Sequence, residues 1–170
     1  MALRWPGARR AALPHEVAEL LGIAAKDRVL AWSPLVGNGY AAATVTALHV
    51  LSARGRVICR PWVEVDHVAW DQDSGMLVVW WVGSRQPTAL ELEERSFLPE
   101  VVHERVRSSV LLSRDVPVAG RTAVWVALRQ DSDGTFTTQA VAPPGVRLDE
   151  PEVATAVAAA QAALRSEAGA

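Results

Sequence analysis

The chain has 170 residues, half of them hydrophobic and 21% charged, with a net charge of −2. That composition excludes disorder of the whole chain and gives no overall pull toward nucleic acid or anionic lipid. A single cysteine, Cys59, excludes an internal disulfide, and the longest apolar run, Met76–Val82, is far short of the roughly 20 residues of a membrane span.

Positive charge comes almost wholly from arginine, Lys26 being the only lysine, and it is unevenly spread. Residues 60–94 carry seven acids and two arginines, a balance of −5; residues 95–130 carry six arginines and three acids, a balance of +3. Near the amino end, Arg4, Arg9 and Arg10 precede an apolar stretch interrupted by Pro14, His15, Glu16 and Glu19, which does not make the apolar segment of a secretion signal. The sequence therefore reads as one cytoplasmic domain over 1–170.

In chain order, residues 1–12 read as a loose arm. A helix follows over 13–22, with Pro14 at its start, Val17, Leu20 and Leu21 at helical spacing, and Gly22 as a stop. Four short β-favouring runs come next: Val29–Trp32, Tyr40–Val45, Ala47–Leu51 and Arg56–Cys59. Gly37-Asn38-Gly39 and Arg54-Gly55 separate two pairs of them as hairpin turns. Between Trp62 and Trp70 the apolar phase slips at Asp66-His67, which predicts a bulge or bend between two strands. Asp71–Gly75 turns the chain into Met76–Val82, apolar on both faces and hence central, and Thr88–Glu94 alternates with Leu90 and Leu92 inward.

Ser96 and Pro99 open a second helix whose apolar stripe is Leu98, Val101, Val102, Val106 and Val110. Beyond Pro117 and Gly120, two strands, Thr122–Arg129 and Thr135–Ala142, form a hairpin across Asp131–Gly134. The last helix starts at Pro151 and presents Val153, Val157, Ala160 and Leu164; the tail over 166–170 should fray.

Seven short strands followed by an amphipathic helix resemble the pleckstrin-homology (PH) fold. Ala43–Val50 is similar to a strand-turn-strand segment of bacterial PH-like and GRAM-like domains, with Thr46 or Ala47 where those usually carry Arg. Arg60–Trp70 followed by Gly75–Val79 resembles another of their segments, and the whole resembles a set of actinobacterial proteins with this layout. The resemblance covers about residues 28–112 and implies an α+β fold: a PH-like, seven-stranded bent antiparallel sheet closed by an amphipathic helix. Residues 113–165 then form a hairpin-and-helix extension. It also implies a binding or adaptor module rather than an enzyme.

The residues themselves carry little chemistry. Asp71-x-Asp73-x-Gly75 and Asp131-x-Asp133-Gly134 lack the bidentate glutamate and flanking helices of a calcium loop and read as turns. The four histidines share no metal-ligand spacing, so no metal or cofactor is expected. Cys59 could pair with His49, His67 or His103, but in an alternating apolar strand a free cysteine reads as a small core hydrophobe. His103, Ser108, Ser109, Ser113 and Asp115 supply the residue types of a triad without its frame. Two features remain as candidate binding surfaces. Within the arginine set, which also includes Arg105, Arg107, Arg114, Arg121 and Arg129 form a possible anion-binding face, because Arg suits phosphate and carboxylate. Trp80 and Trp81, adjacent in a strand, point to opposite faces, so one of them is either covered by the extension or a contact aromatic. Trp70 and Leu77 are expected in the core. The expected function is a non-catalytic module for a protein partner, with no nucleic acid and weak or no membrane binding; the alternative is an anionic-ligand or membrane-surface module, with an enzyme third.

Overall fold

A computed structural model describes residues 12–118 and 122–169. Where the sequence reads as one domain with an extension from residue 113, contacts divide the chain at Val106/Arg107 into two compact units. Among the described residues, no helix is long and apolar enough to cross a membrane.

The first unit opens with α1 (His15–Leu20), followed by β1 (Val29–Leu35), β2 (Gly39–Thr44), β3 (Ala47–Leu51) and β4 (Val57–Pro61), an antiparallel sheet in the order β1-β2-β3-β4. The β1–β2 turn needs its glycines. Gly37 and Asn38 sit at φ 89° and 67°, a region that side chains with a Cβ rarely adopt. A Cβ on Gly39 would lie 2.6 Å from the Leu51 carbonyl oxygen, where backbone cannot yield. Next come β5 (Val65–Asp71), β6 (Met76–Trp81) and β7 (Thr88–Glu91), a second antiparallel sheet in that order.

The seven strands are thus present, but they do not form one continuous sheet. The reason lies where the apolar phase slips. Trp62–Glu64 form a 3-10 turn between β4 and β5, and the β5–β6 register shifts between Val65 and His67. A turn of that kind rotates the chain out of the β3–β4 plane and ends the ladder there. The two sheets face each other over a core of Leu35, Leu48, Val50, Trp62, Leu77, Val79, Trp81 and Leu90.

Helix α2 (Leu98–Ser108) contributes Leu98 and Val102 to that core. Ser96 Oγ accepts the Leu98 N–H (3.2 Å) at its amino end, satisfying one of the donors a helix start leaves open. Arg105 Nη2 donates to the Val45 carbonyl (2.8 Å), tying the helix to the β2–β3 turn. Val110, expected in the helical stripe, instead begins a strand. Val110-Leu111-Leu112 is a β-favouring run, and β pairing of Val110 with Arg129 outweighs one more helical turn.

The second unit is accordingly more than a hairpin and a helix. It holds β8 (Val110–Val118), β9 (Thr122–Gln130) and β10 (Phe136–Val141) in the order β10-β9-β8, and helix α3 (Pro151–Ala168). Val124, Val126 and Leu128 of β9 share a core with Val153, Val157, Ala160 and Leu164 of α3. Helix α3 ends at Gly169, whose φ of 71° provides a left-handed cap that accepts no side chain readily.

Candidate functional site

Of the four arginines expected on one face, Arg129 is not at the surface. Arg129 is 1% exposed: its Nε and Nη2 donate to Ser109 Oγ (3.0 and 2.6 Å) and its Nη1 to Gln139 Oε1 (2.9 Å). Strand alternation decides this. Leu128 faces α3, so Arg129 falls on the opposite face of β9, where Gln139 on β10 and Ser109 before β8 meet it. Arg129 is therefore buried and hydrogen-bonded, and is removed from any anion-binding face. Arg107 and Arg114 are exposed, and Arg114 pairs with Glu167 on α3 at 3.2 Å. Arg121 lies outside the described residues.

The tryptophans divide as the strand period requires. Trp81 is buried, with its Nε1–H donated to Thr88 Oγ1 (2.8 Å) and the Arg60 guanidinium 5.2 Å from its ring centroid. Trp80 points the other way, half-buried, with the His67 imidazole stacked on it at 4.4 Å and 10°. Register places Met76, Val78 and Trp80 on the same outer face of β6, beside Ala69 and His67 on β5 and Ala89 on β7. Leu77 is fully buried as expected, whereas Trp70 is 37% exposed and is no core residue. It stands next to the Asp71–Gly75 turn at the end of β5, an edge strand of its sheet.

Cys59 is also a correction. It is exposed, because β4 turns Ile58 toward the core and Cys59 to the outer face, opposite His49. Its Sγ lies 3.9 Å from His49 Nε2, which is in turn 3.9 Å from Asp27 Oδ2. His49 Nδ1 donates to the Leu21 carbonyl (3.1 Å). Partial desolvation of the sulfur pushes the Cys59 thiol above its ordinary range, and the charges of Asp27 and Glu64 push it the same way. The sequence offers His49 as one of three histidines for Cys59, and the pairing of β3 with β4 selects it; Asp27 has no sequence signal, because only the return of the chain after α1 brings it there.

The two aspartate loops behave as turns. Asp71 accepts the Asp73 N–H (3.0 Å) and the Ser74 hydroxyl (2.6 Å), and Asp133 accepts the Thr135 N–H (2.8 Å). These bonds hold both carboxyls below the usual aspartate value, the Ser74 hydroxyl acting most strongly on Asp71 and the Thr135 N–H on Asp133. No group of three or more acidic, histidine or cysteine side chains among the described residues is arranged to hold a metal.

A cleft of about 310 Å³ opens between the two sheets. It lies at the end bearing the β1–β2 and β3–β4 turns, away from the β2–β3 turn that α2 clasps. Leu35, Val50, Ile58 and Leu90 line it, with Ser52 and Glu91 as polar members.

No family model matches the chain, and no curated protein matches it. Among solved structures, the chain is similar to the crystal structure of a DUF1696 family protein with a pleckstrin-homology domain from Shewanella loihica PV-4, with a TM-score of 0.41 and 17% identity, over 54% of this chain and 94% of that one.

Proposed function

We propose that the chain is a non-catalytic binding module for a protein partner, its first unit arranged in the PH-like manner of seven strands and a following helix. The observation that carries this reading is the outer face of the β5–β7 sheet. There Met76, Val78 and Trp80 form an apolar stripe, flanked by Ala69 and Ala89, with the His67 ring stacked on the indole. A half-exposed indole held rigid by a stacked ring loses little freedom on binding, and interface energy gathers on such anchors. The surrounding segment is acidic, −5 over residues 60–94, so the partner surface that suits it is apolar with a basic rim.

The test is co-purification from the native cell with wild type and Trp80→Ala, partners being identified by mass spectrometry. The reading expects a stoichiometric partner whose recovery falls at least about tenfold with Trp80→Ala, since anchor residues are worth about 2 kcal/mol or more. Circular dichroism and the melting temperature should stay near those of wild type. Equal recovery with both proteins removes this surface, and recruitment to anionic vesicles with no protein partner favours an anionic-ligand module instead.

A further inference from the structure

Outside that surface, one cluster combines an accessible nucleophile, a base and a buried charge. Cys59 is exposed on the outer face of the β1–β4 sheet. Directly behind it sits His49, 3% exposed, with its Nε2 3.9 Å from the sulfur. The Leu21 carbonyl can only accept, so the 3.1 Å contact fixes a proton on Nδ1, and in the neutral ring Nε2 is then the acceptor facing the thiol. Asp27 completes the group. Its side chain is 8% exposed, its Oδ2 accepts the Thr46 hydroxyl and lies 3.9 Å from Nε2, and no donor among the described residues reaches its buried Oδ1. A buried carboxylate short of donors is costly unless positive charge comes near it. Transfer of a proton to Nε2 creates that charge, and so does a cationic ligand at Cys59.

We propose that Cys59, His49 and Asp27 form a thiol-exchange site that takes small disulfides bearing amines. The Cys59 S–H proton passes to His49 Nε2, and the sulfur attacks one sulfur of the incoming disulfide. The disulfide bond breaks, Cys59 gains a mixed disulfide, and the departing thiolate recovers the proton from the imidazolium. One S–S bond replaces another, and the incoming disulfide supplies the oxidising equivalent. Asp27 stabilises the imidazolium during the step. Selectivity comes from charge: Asp27 lies behind the sulfur and Glu64 nearby, Glu64 half-exposed and paired with Arg60 at 3.1 Å. An ammonium on the incoming molecule is attracted to this region and a carboxylate is repelled. The raised affinity of the thiol for its proton fits a resting neutral sulfur that needs His49 to react.

The chain has one cysteine, so the mass of a mixed disulfide reports this site alone. The experiment compares second-order rates of adduct formation by cystamine, a dication, and by glutathione disulfide, an anion, on the folded and the urea-unfolded chain at matched pH. The expected result is a cystamine-to-glutathione rate ratio about tenfold or more larger in the folded chain, collapsing in about 1 M salt as surface charges are screened. Glu64→Gln, on the surface, should lower the ratio about two- to threefold, and His49→Gln should slow the folded cystamine reaction about tenfold or more, in the range of a lost general base. Equal ratios in folded and unfolded chain overturn the proposal, as does a folded His49→Gln protein that reacts as fast as wild type. Should His49→Gln fail to fold, the wild-type ratio and its response to Glu64→Gln decide the matter without it.

Discussion

The two units solve the burial problem differently. The first encloses its core between two sheets and α2, so large side chains such as Trp62, Leu48, Leu77 and Leu98 are wholly covered. The second has one sheet and one helix. Its shared core is built mainly of valine, alanine and leucine on the α3 face of β9, while the opposite face of the same strand carries Arg129. A strand between two apolar layers can be apolar on both sides. In a strand with a single helix partner, alternation delivers every second side chain elsewhere, and a charge buried there must bring its own hydrogen bonds. Ser109 and Gln139 supply them.

The sharpest break in this comparison comes from the interior. Trp62→Ala removes a 1% exposed ring and the bond from Nε1 to the Thr44 carbonyl (3.2 Å), and should cost about 3–5 kcal/mol in equilibrium denaturation. Leu164→Ala, 1% exposed on α3, should cost about 2–4 kcal/mol, the smaller side chain losing less contact. A Trp62→Ala protein as stable as wild type would contradict the enclosed core of the first unit.

Arg129→Ala tests the other half. It leaves Ser109 and Gln139 without the donors they now accept from, and the expected loss is about 1–3 kcal/mol. Arg107→Ala, at an exposed position, should change stability by no more than about 0.5 kcal/mol. Similar losses for the two arginines would remove the distinction between an interior and a surface role.

The smallest effect concerns the Asp71 turn. Its carboxyl is held below the usual aspartate value by the Ser74 hydroxyl and the Asp73 N–H, so the turn's contribution is present above the unfolded-state value of about 3.9 and is lost as pH falls through the lower folded value. Wild type should therefore exceed Asp71→Asn slightly in melting temperature at neutral pH. The two should converge on acidification below the ordinary aspartate range; a gap that widens there would reverse the assigned sign.

Element types were legible in the sequence because they depend on local period and turn chemistry. The apolar run Met76–Val82, the glycines of the β1–β2 turn, Ser96 before α2 and Pro151 at the start of α3 each act over a few residues. The phase slip after Trp62 was legible as a bend, although not as the boundary between two sheets. Tertiary structure alone decided which face of each strand is inside. Cys59 and Ile58 are neighbours in an apolar run, and pairing with His49 turned the cysteine outward. Arg129 ends a strand that reads as apolar, and the docking of α3 on Val126 and Leu128 sent it to the opposite side. Trp70 follows the alternation of its strand and is still 37% exposed, at the end of the edge strand β5. The grouping of Asp27, His49 and Cys59 has the same origin. A strand's period states that two faces exist; only what packs against the sheet states which of them loses its water, and that packing is set by residues far away in the chain.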